Sequence, residues 1–228
     1  MRLWLAALLA LGLLAPARAE AQAAPLAELR VAFGPDCTGV GVAVHLGGGV
    51  FLTAGHLLDP GLARREGCPG ATLEAERPPT LILDGRPVPA AILRRVAGVE
   101  TGQVPPGWAY PGWADLALLR VAVPPTLAAA RPCAGDVSTG ARLRIESLMR
   151  RAEARVAGQE RTGSLGPARI DGTLLVLEIV LDPGESGGAV LGAGGCLAGI
   201  VSARQDIPGG RYSFAVPAAT LRAFIAAR

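Results

Sequence analysis

Asp182-Pro183-Gly184-Glu185-Ser186-Gly187-Gly188-Ala189-Val190 is the stretch on which the reading of this 228-residue chain turns. Glycines on either side of a serine let the backbone turn tightly and leave its N–H groups uncovered. Acyl transfer needs such donors, aimed at the oxygen that becomes negative when the acyl carbon is attacked. On its own, a Gly-rich serine loop is often just a turn, so the reading depends on what precedes it. Gly184-Glu185-Ser186-Gly187-Gly188 also fits the G-x-S-x-G elbow of α/β-hydrolases, in which the histidine base follows the serine. Both histidines of this chain, His45 and His56, precede Ser186. An elbow of that kind would have no base, and that fold is excluded.

Two upstream segments complete a constellation. Val50-Phe51-Leu52-Thr53-Ala54-Gly55-His56 is an apolar strand ending in small residues and a histidine. The small residues leave both ring nitrogens accessible at a strand end; a core or surface histidine is the plainer alternative. In Trp113-Ala114-Asp115-Leu116-Ala117-Leu118-Leu119-Arg120-Val121, one carboxylate stands at the head of an apolar run. That run predicts a buried strand. A carboxylate buried there is costly unless it accepts hydrogen bonds, and a histidine N–H is one suitable donor.

Around these segments the chain reads as all-β. Short β-prone runs recur at Gly39–Leu46, Gly49–Ala54, Thr80–Leu83, Val88–Ile92, Leu116–Val123, Arg142–Ser147, Thr173–Leu181, Gly188–Leu191, Cys196–Ser202 and Arg211–Val216. Gly47-Gly48-Gly49 and Pro208-Gly209-Gly210 are hairpin-like connections. The pattern predicts a barrel or sandwich in two halves that meet near residue 130. Pro217 to Ile225 starts with proline and spaces its apolar residues as an amphipathic helix does. Met149 to Gly163 is ambiguous between helix and strand, and residues 20–29, rich in Ala, Glu and Pro, are expected to be a flexible lead-in.

Composition closes off other chemistries. All 22 basic residues are arginine and there is no lysine, which excludes Schiff-base, Ser-Lys and Walker-type mechanisms. Two histidines exclude a His-rich metal centre. Met1-Arg2, the apolar run Leu3 to Leu14 and Ala17-Arg18-Ala19 have the anatomy of a secretory signal peptide over residues 1–19. Its removal takes away Arg2 and Arg18, leaving 20 Arg against 19 acidic residues, a net +1. That balance carries no argument for nucleic acid or for an anionic membrane, and no later stretch reads as a membrane span, so no stable membrane insertion is expected. In an exported protein the four cysteines, Cys37, Cys68, Cys133 and Cys196, are expected to form two disulfides. Spacing does not choose among the three pairings, and no C-x-x-C supports zinc.

The order His56, Asp115, Ser186 is that of the chymotrypsin-type triad. Thr53-Ala54-Gly55-His56, Asp115-Leu116-Ala117-Leu118-Leu119, Gly184-Glu185-Ser186-Gly187-Gly188 and Gly199-Ile200-Val201-Ser202 follow one another as four blocks. In them the chain resembles the trypsin-like (chymotrypsin-fold, PA-clan) serine proteases over nearly its whole mature length. The details near Ser186 and at Ser213-Phe214-Ala215-Val216-Pro217 are similar to bacterial exported enzymes of the HtrA type and to glutamyl endopeptidases. The resemblance implies two six-stranded antiparallel β-barrels and a C-terminal helix. Residues 20–130 would carry His56 and Asp115, and 131–228 would carry Ser186 and the helix.

It further implies Ser186 as nucleophile, His56 as base and then acid, and Asp115 as the group that fixes the imidazole tautomer. Backbone N–H groups of Gly184 and Ser186 would form the oxyanion hole, and Ser202 would support Asp115. Ser202, Ala203 and Arg204 would pair with substrate backbone, while Val180 and Leu181 would line the primary pocket. Disulfides Cys37–Cys68 and Cys133–Cys196 follow from the same resemblance.

There are departures. Glu185 stands where the animal enzymes have an aspartate that pairs with a freshly cleaved N-terminus. Val31-Ala32-Phe33-Gly34 lies too close to His56 for tryptic zymogen activation to be expected, and with no residues after the helix for a PDZ domain a full HtrA assembly is not expected. Apolar specificity is suggested by Val180 and Leu181, acidic specificity by Arg204. The expectation is an exported, secreted or periplasmic serine endopeptidase, a monomer acting on protein or peptide substrates without cofactor or metal. The rivals are an inactive or latent binding protein on the same fold and an esterase using the same triad.

Overall fold

The computed structural model describes residues 24–227 apart from 75, 103–106, 111–114, 123, 124, 166, 167, 208 and 209. The leader expected at 1–19, Trp113-Ala114 and Pro208-Gly209 lie outside the described residues. The chain begins with β1 (Leu26–Gly34), β2 (Cys37–Gly47) and β3 (Val50–Thr53), then a 3-10 turn at Gly55–Leu58 and the helix α1 (Pro60–Arg65). Next come β4 (Thr80–Leu83), β5 (Arg86–Arg95), a short hairpin of β6 (Val99–Thr101) and β7 (Gly107–Tyr110), and β8 (Ala117–Val121). Six of these strands close a barrel in the order β1-β2-β3-β8-β5-β4.

The second half supplies β9 (Arg142–Glu146), β10 (Arg151–Leu165), β11 (Ala168–Leu177), β12 (Ala189–Leu191), β13 (Leu197–Ile207) and β14 (Gly210–Pro217), and ends in α2 (Ala218–Ala226). These strands run side by side as β10-β9-β12-β13-β14-β11, and pairing of β10 with β11 closes a second antiparallel six-stranded barrel. The expected all-β fold of two barrels and a terminal helix is therefore the one observed. The hairpin departs from its own half: β7 pairs in parallel with β11, setting Trp108 opposite Ala168 and Tyr110 opposite Ile170.

Alternation within strands builds three cores rather than two. Leu29, Val31, Phe51, Leu81 and Leu119 fill the first barrel, and Leu143, Ile145, Leu175, Val190 and Ala215 fill the second. Their chain neighbours Leu52, Leu118, Leu174, Phe214 and Val216 point the other way, into a layer between the barrels with Tyr110 and Leu116. Strands buried on both faces read as continuous apolar runs, which is why Leu116 to Leu119 lacks a polar alternation.

Several boundaries correct the sequence reading. Residues 26–29 of the expected lead-in belong to β1, whose Ala27, Leu29, Val31 and Phe33 point inward. The Ala- and Glu-rich composition hid a period of two. Met149 to Gly163 resolves largely into β10, where pairing with β9 and β11 overrides the helical preference of Arg, Glu and Ala. The hairpin β6–β7 was not expected at all. Gly47, Gly48 and Gly49 all take positive φ (103°, 59° and 74°) in joining β2 to β3, a path closed to most residues with a Cβ.

Candidate active site

His56 projects from the 3-10 turn just after β3. The small residue before it is required: a Cβ on Gly55 would press on the backbone of Leu116 at 2.8–3.1 Å. That close approach sets Asp115 beneath the imidazole. Asp115 is fully buried, and its Oδ1 accepts the backbone N–H of His56 at 2.5 Å. Oδ2 lies 2.5 Å from His56 Nδ1 and accepts Ser202 Oγ at 2.6 Å. Burial alone would lower the pKa of His56, but the charge and hydrogen bond of Asp115 outweigh it. Glu66 and Asp59 add to the effect, and the net shift is upward from 6.5. A proton on Nδ1 facing Asp115 leaves the lone pair on Nε2 as the basic position.

Ser186 stands in the loop between β11 and β12, across the cleft from His56. Its carbonyl accepts Val42 N–H of the first barrel at 2.8 Å, and Gly187 N–H donates to Val201 at 2.8 Å. A Cβ on Gly187 would collide with the Val42 carbonyl, and its φ of +85° also favours glycine. Ser186 Oγ is 3.4 Å from the Ser202 carbonyl. Glu185 N–H bonds back to Asp182 at 3.1 Å, with Pro183 second and Gly184 third at φ +93°, the signature of a type II turn. Among the described residues, the N–H groups of Gly184 and Ser186 have no hydrogen-bond partner, so both are free to face an anionic oxygen.

Glu185 is buried, and its carboxylate is held by Arg150 on the loop between β9 and β10. Arg150 Nε donates to Oε1 at 3.0 Å and Nη2 to Oε2 at 2.5 Å, while Ser147 Oγ reaches Oε1 at 2.8 Å and Asp182 N–H reaches Oε2 at 2.6 Å. Burial would raise the Glu185 pKa; the bonds from Arg150, Asp182 and Ser147 more than offset this and lower it below 4.5. The charged partner of Glu185 is thus an internal arginine. Val31, the residue nearest to a tryptic activation site, is buried in β1 opposite Gly39.

A cleft of about 670 Å³ runs between the barrels, lined by His56, Leu181, Gly184, Ser186, Ser202, Ala203 and Arg204 among others. Val180 is not among its lining residues, and its carbonyl accepts Arg150 Nη2 at 2.7 Å. Arg204 Nη1 lies 3.8 Å from Asp182 Oδ1, so its charge has a carboxylate neighbour in the cleft wall. Disulfides join Cys37 to Cys68 and Cys133 to Cys196. Among the described residues, no three His, Cys, Asp or Glu side chains converge as metal ligands would.

The sequence matches no family model and no curated protein. Its structure is similar to the active form of the Rv3671c protease from M. tuberculosis, with a TM-score of 0.63 and 17% identity over 89% of this chain and 79% of that one. The fold is that of the chymotrypsin-like serine proteases. The protease domain of MamO from Magnetospirillum magneticum gives 0.58 and 19%, over 88% and 95%. The HtrA-type protease AlgW gives 0.60 and 23%, over 89% of this chain and 60% of that one.

On this fold His56, Leu181, Gly184, Ser186 and Ser202 to Arg204 border one cleft with Asp115 buried behind His56, whereas Val180 lies outside the lining. Sequence reasoning missed Arg150, Ser147 and Asp59. Arg150 and Ser147 lie 35 and 38 residues before Glu185, a separation with no local signal. Asp59 had one weak signal: an aspartate just before Pro60 fits a helix N-cap.

Proposed function

We propose that the protein is a serine endopeptidase acting through His56, Asp115 and Ser186. The observation that carries this reading is the buried Asp115, which binds both the ring and the backbone of His56 while that ring borders the same cleft as Ser186. In the reaction, Nε2 of His56 takes the proton of Ser186 Oγ as the oxygen attacks the substrate carbonyl. Charge on the carbonyl oxygen falls to the N–H groups of Gly184 and Ser186. His56 then passes the proton to the departing amine, leaving an acyl-enzyme. Water attacks the acyl carbon with His56 again as base, and Ser186 recovers its proton on release of the acid. Substrate backbone would lie along Ser202 to Arg204 as an added strand.

The Arg150–Glu185 pair supports a site that is assembled without cleavage of an N-terminus. Two disulfides support an extracytoplasmic setting, secreted or periplasmic, where such bonds persist. No helix among the described residues is long and apolar enough to cross a membrane.

Labelling of the purified protein with a fluorophosphonate, lost in Ser186→Ala, is the expected result, together with hydrolysis of a peptide amide. Hydrolysis of activated esters alone would indicate an esterase. A latent form is favoured by one observation, the Ser186 Oγ contact with the Ser202 carbonyl. It would show as an absence of labelling in folded, disulfide-intact protein.

A further inference from the structure

Asp59 is the third residue after His56 and is buried. Its carboxylate accepts five hydrogen bonds. Two of them, from Gly61 and Leu62 N–H to Oδ1 at 2.8 and 3.4 Å, cap α1 in the ordinary way. The other three converge on Oδ2 from a distant part of the chain: Gly98 N–H at 3.0 Å, Trp108 Nε1–H at 3.0 Å and Tyr110 O–H at 2.8 Å. Trp108 and Tyr110 belong to β7, the strand that pairs with β11 of the second barrel.

The surroundings are built to this arrangement. The Trp108 indole is pressed against Gly61 and Gly98, where a Cβ at either position would overlap the ring. The Arg65 guanidinium lies 5.3 Å from the ring centre. Toward the base, Asp59 N–H donates to the His56 carbonyl at 3.0 Å, and Arg95 Nη1 donates to the Leu58 carbonyl at 2.5 Å.

His56 and Ser186 sit on different barrels, so their separation depends on how the barrels are tied near the cleft. We infer that Asp59 is a positioning residue for His56: through Tyr110 and Trp108 it fixes the turn carrying the base to β7, the strand paired with β11 of the second barrel. The kinetic part of this inference rests on the proposed function. The choice of an acid is informative. A purely structural link would be cheaper with a neutral acceptor, because a buried carboxylate must be fully hydrogen-bonded to offset its desolvation. Burial would raise its pKa, but the bonds from Tyr110, Trp108, Gly61 and Gly98 outweigh that and keep it ionised. Its charge, with those of Asp115 and Glu66, faces the imidazole and favours the imidazolium that forms in the reaction.

The test compares Asp59→Asn with Tyr110→Phe, normalising rates to sites titrated with fluorophosphonate. Asp59→Asn is expected to lower kcat by about 10- to 100-fold with KM within about twofold, since a misplacement of about 1 Å costs on that order. The acid limb of its kcat/KM profile should move to lower pH. Tyr110→Phe keeps the charge and should lower kcat a few-fold without moving the limb. Wild-type kcat per titrated site in both, with only the melting temperature changed, would overturn the inference. Should Asp59→Asn fail to fold, the same criterion applies to Tyr110→Phe and Trp108→Phe.

The imidazole titration can also be read without turnover. With two histidines in the chain, 13C NMR resolves the His56 signal, assigned by its loss in His56→Ala. A downward shift of its midpoint, or a displaced resonance at unchanged midpoint, in Asp59→Asn supports the inference; a midpoint and a resonance position both equal to wild type overturn it. If the wild type neither labels nor hydrolyses, the proposed function fails while this measurement still decides on Asp59.

Discussion

The two barrels hold their buried carboxylates in different ways. In the first, Asp115 and Asp59 are fixed by backbone N–H groups, an imidazole, an indole, a phenol and a serine hydroxyl, on rigid turns at strand ends. In the second, Glu185 is fixed by a guanidinium on a loop, with Ser147 Oγ and Asp182 N–H beside it, and the Arg150 side chain remains 35% exposed. Neutral donors leave the first pair of carboxylates with charge to act on His56. An ion pair spends the charge of Glu185 on Arg150 and leaves it exposed to solvent and salt from one side. Under the proposed function, the base side of the site is thus held mainly by neutral donors and the oxyanion side by a partly exposed ion pair.

The largest test of this contrast is Asp115→Asn. It leaves the shape but not the acceptor for Nδ1–H, and kcat should fall by about 10⁴-fold through the wrong tautomer. Arg150→Met should act on the other half. It removes the partner of a buried carboxylate but no group of the proposed triad, so kcat should fall by about 100-fold, the scale of an impaired oxyanion hole. Stability should fall by about 2 kcal/mol, allowing for the partial exposure of Arg150. Burst titration of both variants checks the ranking; equal losses would mean that the halves do not differ.

Protonation offers a sharper separation. The folded pKa of His56 lies above its unfolded value near 6.5. Its contribution to stability is therefore complete below pH 6.5 and lost as pH rises through the folded value. Glu185 and Asp59 run the other way, with folded values below 4.5 and 3.8, so their contributions are lost only as pH falls through those lower values. The melting temperature should peak between about pH 5 and 6.5, whereas kcat/KM should rise through the His56 titration above 6.5. Activity that stays flat to strongly acid pH would contradict His56 as the base.

The smallest effect expected compares the disulfides. Each closes a loop, of 31 residues in the first barrel and 63 between Cys133 and Cys196. Replacing either pair by serine should cost on the order of 3–4 kcal/mol, the second by about 0.6 kcal/mol more because its loop is twice as long. Urea unfolding of the two double variants measures the difference. A larger cost for the first pair would show that packing beside the cleft matters more than loop length.

What could be read from the residues follows from where the information is local. The blocks around His56, Asp115 and Ser186 each owe their composition to a constraint within a few residues, as Gly55 against Leu116 and Gly187 against Val42 illustrate. The order of the three blocks then excluded a competing fold without any coordinates, and most strands were visible as apolar runs. The same local view misplaced β1 and left β10 ambiguous, because pairing partners rather than composition decide those segments.

By itself, then, the sequence determined the fold class, the candidate triad and the expectation of two disulfides, all of which depend on short-range composition and order. Only the tertiary structure decided that Glu185 pairs with Arg150, that β7 joins the second barrel, and that Asp59 lies beneath Trp108 and Tyr110. Those contacts span 35 to 60 residues of chain, from Arg150–Glu185 to the Tyr110–Ile170 pairing. A buried charge takes its partner from whichever segment the packing brings close, and no period or motif in the chain records that choice.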